Sequence, residues 1–226
     1  YLLSYVWIVN PDAGNIEQSE DGTGPYTLDE WKRGSTLSLD RWADYWGDPA
    51  KNAKVVYNYF TDASAEDTAL QSGRIDLITN VQNPDALDQF EKSGTFTIND
   101  GQSTTKELLA FNDRVAPFDN ALVRQAVYSA IDREKLLNAV WGDYGTVIGS
   151  MVPPTDPWYE DLVDLNPYDP ARSEKLLAEA GLADGFAFTL DTPNYAPHPA
   201  VAEFLQSELA KVGITATINT LTPAEW

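Results

Sequence analysis

Side chains with reactive chemistry of their own are scarce in this chain. His198 is the only histidine, and there is no cysteine. Thiolate catalysis, disulfide bonds and cysteine-based zinc sites are therefore excluded, as is a metal site with several histidine ligands within this chain. A Ser-His-Asp arrangement would have to use His198, but no Gly-x-Ser-x-Gly turn occurs to present the serine.

The loop at Asp191–Pro199 is the best-placed candidate for binding. It follows a strand-like run, and open α/β sheets usually hold their ligands at the carboxyl ends of strands. Asn194, Tyr195 and His198 offer an amide, a phenol and an imidazole in this loop. An ordinary polar connection is the alternative, and the residues alone leave both interpretations open.

Acidic residues are too numerous to identify a site by counting. The 226 residues carry 35 acidic and 15 basic side chains, a formal charge of −20. This balance argues against nucleic acid and against anionic membrane surfaces as partners. A carboxylate pair for glycoside hydrolysis remains open, because nothing in the sequence fixes two acids at a defined separation. A carboxylate site for Ca²⁺ or Mg²⁺ also remains open, although no stretch has EF-hand spacing. No cofactor is predicted.

The Gly-Thr-Gly-Pro-Tyr run at 22–26 is the nearest approach to a phosphate-binding loop. It lacks the Gly-Lys-Ser/Thr ending of such loops, and Pro25 removes a backbone N–H that a phosphate would need. We interpret it as a tight turn within a longer loop, Asn10–Pro25.

The most distinctive stretch, 112–137, predicts two consecutive helices. Asp119 is a suitable N-cap, with Phe118 and Val123 placed to form a hydrophobic staple around it. Asp132 restarts the pattern for the second helix. The buried face of the first helix is predicted from helical spacing to comprise Val123, Ala126, Val127, Ala130 and Ile131.

The rest of the chain alternates between strand-like and helix-like runs, which indicates an α/β fold. The last unit is the clearest, with strands around Phe186–Leu190 and Ile214–Ile218 flanking a helix that stops at Gly213, a parallel βαβ unit. A loop-dominated stretch spans 142–167, and Asp169-Pro170 starts a further helix. The remaining predicted helices are Ser64–Ser72 and Pro84–Lys92, and the remaining predicted strands are Thr36–Arg41, Lys54–Phe60, Ile75–Thr79, Thr95–Asn99 and Glu107–Asn112.

Five motifs in order resemble family 5 extracellular solute-binding proteins, the peptide/nickel type of receptors for ABC importers. The longest is Pro-Phe-Asp … Val-Arg-Gln-Ala … Ala-Ile-Asp-Arg at 117–133. The others are Gly-Thr-Gly-Pro-Tyr at 22–26, Tyr-Trp-Gly at 45–47, Leu-Gln-Ser-Gly-Arg-Ile-Asp at 70–76, and Tyr-Asp-Pro … Leu-Leu-Ala-Glu-Ala-Gly at 168–181. Asn120 and Leu122 differ from the residues that are common in the family at these positions. We expect these differences to affect only the surface of the helix.

The resemblance implies an α/β, periplasmic-binding-protein-like fold of the class II type, with mixed sheets flanked by helices. Residues 1–102 are expected to be part of lobe I and 103–226 part of lobe III. We expect the chain to be an internal piece of a longer protein. The remaining strands and the smaller lobe would precede Tyr1, and the acid that pairs with a peptide amino terminus would follow Trp226.

The resemblance further implies a receptor without enzymatic activity, located in the periplasm or on the cell surface as a lipoprotein. It would bind an oligopeptide or similar small solute and deliver it to a membrane permease, and the parent protein is expected to be monomeric. The ligand is expected near the crossing segment Gln102–Asn112 and the Asp191–His198 loop. The expected ligand-binding residues are Gln102, Thr104, Asn112, Asn194, Tyr195 and His198.

Four alternatives to the peptide receptor stay open at this point. An oligosaccharide receptor of the same family would use aromatic stacking, and a nickel chelate is a weaker candidate because one histidine gives poor ligation. A carboxylate-dependent glycoside hydrolase and an adhesion or scaffold fragment belong to different functional classes.

Overall fold

The structure, a computed structural model, describes residues 22–142 and 144–226 together with Val6, Ile8, Asn10, Asp12, Gly14 and Asn15. The strands are β1 (Tyr26–Lys32), β2 (Thr36–Arg41), β3 (Lys54–Asn58), β4 (Phe186–Pro193) and β5 (Ile214–Leu221). The helices are α1 (Ala63–Gln71), α2 (Leu87–Ser93), α3 (Ala121–Ala130), α4 (Arg133–Val140), α5 (Pro170–Glu179) and α6 (His198–Ala210). Short 3₁₀ turns occupy Pro84–Ala86 and Val163–Leu165.

The chain forms two compact units, the first ending at Thr79 and the second spanning Asn80–Trp226. Both units combine strands with helices, so the α/β class is confirmed. The first contains an antiparallel sheet and the second a parallel pair. The assignment of residues 1–102 and 103–226 to parts of lobes I and III stays a prediction. Among the described residues, no helix is both long and apolar enough to cross a bilayer.

In the first unit, one charged cluster joins all three strands of the antiparallel sheet β1-β2-β3. The Lys54 ammonium on β3 lies 2.6 Å from Asp29 on β1, and the Ser38 hydroxyl on β2 donates to the same carboxylate at 3.0 Å. The hydrogen bond from Lys54 holds the pKa of Asp29 below its usual value. The sequence pattern does not predict β1, because the register shifts between Leu28 and Glu30 and interrupts the alternation.

The second unit is organised around one hydrophobic core, to which α3, α5, α6, β4 and β5 all contribute. Leu209, Ile214, Val123 and Val127 are fully buried in this unit, and the predicted face of α3 is the buried one. The buried hydroxyl of Ser173 on α5 donates to a backbone carbonyl of α3 at 2.8 Å. The predicted βαβ unit is confirmed, with β4 and β5 paired in parallel from Phe186↔Ile214 to Pro193↔Leu221.

Arg133 has a structural role in this unit. Its guanidinium stacks on the Tyr128 ring at 4.5 Å and donates to the carbonyls of Val163 and Asn166 at 3.0 and 3.2 Å. These bonds fasten the long loop between α4 and α5 to the end of α3, as expected for a residue with several fixed donors.

Three predicted strands, Ile75–Thr79, Thr95–Asn99 and Glu107–Asn112, do not form. The alternation in the last of them is nevertheless real, because Leu109 and Phe111 pack against the core of the second unit. Periodicity reports which side chains face the core, whereas a strand also requires a backbone partner. The described residues provide no such partner for these segments.

Helix capping agrees with the sequence at Asp132 and Asp169 but differs by one residue at α3. The N-cap of α3 is Asn120, whose side-chain oxygen accepts from the Leu122 N–H at 2.9 Å. The predicted cap, Asp119, is therefore wrong. Both residue types are good caps, and the turn before the helix selects between them. Arg124 donates to the carbonyls of Phe118 and Asp119 at 2.6 and 3.2 Å and fixes that turn.

Substitution at these two positions should separate the observed cap from the predicted one. Asn120→Ala is expected to lower the free energy of unfolding by about 1 kcal/mol, because the Leu122 N–H loses its acceptor. Asp119→Ala should change it by less than about 0.5 kcal/mol. Urea titration followed by circular dichroism measures both, and a larger loss for Asp119→Ala would contradict the observed cap.

Candidate functional site

The predicted binding loop lies at the carboxyl edge of the parallel pair. β4 ends at Pro193 and β5 at Leu221, and the Asn194 N–H donates to the Leu221 carbonyl at 2.9 Å. Tyr195 follows and is 45% exposed, and His198 is the first residue of α6. The strand-to-helix connection therefore holds three polar side chains at the sheet edge where α/β proteins bind ligands.

A hydrogen bond joins this loop to the predicted crossing segment 102–112. The Nδ1 atom of His198 lies 2.9 Å from Oε1 of Glu107, which is 91 positions away in sequence. A carboxylate can only accept, so Nδ1 carries the proton and donates. Both side chains are partly exposed, so the pair adds little to stability and mainly fixes the orientation of the imidazole.

Two aromatic rings flank the imidazole. The Tyr195 ring lies edge-on to His198, with centroids 4.8 Å apart and an interplanar angle of 85°. The Trp226 indole lies nearly parallel to it at 6.4 Å and 26°, and is 65% exposed. We call Glu107, Tyr195, His198 and Trp226 the His198 corner. It offers π faces, hydrogen-bond acceptors and one titratable ring.

The three predicted residues of the crossing segment are exposed; they are Gln102, Thr104 and Asn112. The Thr104 carbonyl accepts from the Lys106 ammonium at 3.0 Å, and Oδ1 of Asn112 accepts from the Arg114 N–H at 3.2 Å. These are local contacts within the segment. The contact that joins the two predicted segments is made by Glu107 instead.

Sequence reasoning missed both Glu107 and Trp226. Trp226 could have been found by the rule that selected the Asp191–Pro199 loop, since it lies just beyond the carboxyl end of β5. Glu107 carries no such signal, because one acid among 35 is not distinctive without its partner.

The electrostatics of the corner are acidic. Hydrogen bonds from the hydroxyl and backbone N–H of Thr222 hold the pKa of Glu225, the neighbour of Trp226, below its usual value. Glu225 is therefore a second acid of this unit, adjacent in sequence to Trp226. No three acidic or histidine side chains among the described residues are grouped so as to hold a metal ion.

The first unit contains a separate cavity of about 390 Å³. Its lining includes the polar residues Ser35, Thr36, Asn58 and Arg74 and the aromatic residues Tyr59 and Phe60. None of the six sequence-predicted binding residues lines it. In the His198 corner, by contrast, two of the predicted binding residues lie at a contact between the two predicted segments.

Comparisons with known proteins place the chain among receptors for solutes. The sequence profile described as "Bacterial extracellular solute-binding proteins, family 5 Middle" matches residues 4–226. Di/tripeptide-binding protein 1 of Pseudomonas aeruginosa is 31% identical over 95% of this chain and 40% of its own length. The glutathione-binding protein GsiB of Salmonella choleraesuis is 31% identical over 88% of the chain and 39% of its own length.

A solved structure gives the same result for the fold. The periplasmic binding protein DppA of Helicobacter pylori, in complex with the peptide STSA, superposes with a TM-score of 0.85 and 27% identity. The match covers 95% of this chain and 44% of that protein. The chain thus spans about two fifths of the length of the relatives it matches.

Proposed function

We propose, from the premise that this chain belongs to the bacterial extracellular solute-binding proteins of family 5, that it forms part of a peptide receptor. The receptor binds an oligopeptide or a similar small solute and delivers it to an ABC permease in the membrane. It acts outside the cytoplasm, in the periplasm or as a surface lipoprotein, and as a monomer. The family and the relatives above are binding proteins, and we propose that this chain has no catalytic role.

The observation that carries the proposal is the Glu107–His198 contact at the carboxyl edge of β4 and β5. It brings together the crossing segment and the β4–α6 loop, the two segments expected to face ligand. Gln102, Thr104, Asn112, Asn194, Tyr195 and His198 are proposed as ligand-facing residues, to which Glu107 and Trp226 are added. Recognition would combine exposed aromatic faces with a few placed polar groups.

The names of the relatives support a peptide in preference to a sugar. The two relatives are named for di- and tripeptides and for glutathione, and the solved structure is a complex with the peptide STSA. The oligosaccharide and glycoside hydrolase alternatives have no comparable support. Hinge closure of two lobes around the ligand is the expected movement for such a receptor.

Thermal shift measurements on the full-length product of the gene test this function. A panel of dipeptides, tripeptides, glutathione and oligosaccharides is compared at equal concentration. At least one peptide is expected to raise Tm, because a ligand at one hundred times its Kd stabilises the folded state by about 2.7 kcal/mol. Stabilisation by a sugar alone, or by no solute, would contradict the peptide receptor.

A further inference from the structure

We propose that the His198 corner recognises a cationic side chain of the ligand, the ammonium of a lysine or the guanidinium of an arginine, and thereby favours peptides that carry one. The inference rests on the proposed function and specifies the ligand class at that site. It goes beyond the general expectation of an oligopeptide, because it assigns a charge preference to four particular side chains.

The imidazole of His198 and the carboxylate of Glu107 present hydrogen-bond acceptors at the corner. Nδ1 of His198 donates to Oε1 of Glu107, so in the neutral ring Nε2 has no proton and accepts. For Glu107, the hydrogen bond in the described part of the chain is made through Oε1, which leaves Oε2 available as an acceptor. The corner therefore presents acceptors, which match the N–H groups of an ammonium or guanidinium. The Tyr195 hydroxyl and the Trp226 indole N–H are donors, but a ligand carboxylate that approached them would be repelled by the negative charge of Glu107.

The corner also presents exposed aromatic surface. Tyr195 is 45% exposed and Trp226 is 65% exposed, and both flank His198. A cation over the face of such rings is stabilised by the ring quadrupole by about 0.5–1 kcal/mol at exposed sites. The same faces can cover the methylene groups of a lysine or arginine side chain.

The charge at the corner is negative. Glu107 carries it, Glu225 is the sequence neighbour of Trp226, and the chain as a whole has a formal charge of −20. The nearest cation in sequence is Lys106, whose ammonium is held by the Thr104 carbonyl at 3.0 Å rather than by Glu107. The negative charge of Glu107 is therefore shared only with His198 among its described contacts.

Calorimetry with matched tripeptides tests the proposal on the full-length gene product. Alanine tripeptides carrying one Lys, Met or Glu are compared at pH 7.5. We expect the Lys peptide to bind about 5- to 10-fold more tightly than the Met peptide, and the Glu peptide more weakly than both.

The decisive variant is Glu107→Gln, which keeps an acceptor oxygen but removes the charge. It should reduce the preference for the Lys peptide over the Met peptide to about 2-fold or less. Glu203→Gln is the matched control, since Glu203 is an exposed acid on α6 and its substitution changes net charge equally. The control should retain the preference of the unmodified protein.

The outcomes separate the two levels of the proposal. If no tripeptide of any charge binds, the proposed function and this inference both fail. If tripeptides bind but the Glu peptide is equal or better, only the inference is overturned. The same holds if Glu107→Gln retains the full Lys preference. The Tm of Glu107→Gln without ligand should match that of Glu203→Gln, which shows that any lost preference is not lost folding.

Discussion

The Gly185→Ala variant is expected to unfold at a much lower urea concentration than the unmodified protein. Gly185 and Gly213 immediately precede β4 and β5, and their backbones touch. A Cβ atom added at Gly185 would lie 1.9 Å from the Gly213 carbonyl oxygen, and the residue has φ of +78°. The clash is with backbone, so β5 itself would have to move. We expect a loss of about 3–5 kcal/mol in the free energy of unfolding, from steric overlap and left-handed strain together.

Gly181→Ala is the matched control for this prediction. Gly181 has nearly the same φ, +79°, but an added Cβ would meet no atom within 4 Å. Its cost should be limited to the left-handed conformation, about 1–2 kcal/mol. Hydrogen exchange of the β4 and β5 amides reports on this unit directly. Equal losses for the two variants would show that the approach of the two strands does not require glycine.

Leu209→Ala is expected to have the second largest effect. Leu209 on α6 is fully buried in the core of the second unit. Removing its methyl groups should cost about 2–5 kcal/mol, the lost transfer energy plus the cavity left behind. Because α6 begins at His198, loosening its packing should also weaken ligand binding at the His198 corner. Urea titration and calorimetry of the full-length product measure the two effects.

Leu209→Met separates packing from a nonspecific effect of substitution. Methionine nearly conserves the volume, and such exchanges usually cost less than about 1.5 kcal/mol. If the alanine and methionine variants were equally stable, the interpretation of Leu209 as a core residue would be wrong. Ligand affinity should follow the same order as stability in this pair.

The sequence by itself determined two of the helix caps, the βαβ unit and the family to which this protein belongs. Asp132 and Asp169 cap their helices as predicted, and the βαβ unit forms as its alternation and glycine signals indicate. These features depend on side chains only a few positions apart, so their spacing along the chain is sufficient. The five ordered motifs identified the family for the same reason. Each motif is a short local pattern, and the segments between the motifs can vary without obscuring it.

Tertiary structure alone decided which backbone segments pair and which distant side chains meet. Glu107–Asn112 alternates like a strand but has no partner among the described residues, and the choice of Asn120 over Asp119 depends on how the preceding turn is held. The contact between Glu107 and His198 crosses 91 positions. Spacing along the chain carries no information about such a contact. It forms only because the folded unit brings the crossing segment 102–112 next to the loop between β4 and α6.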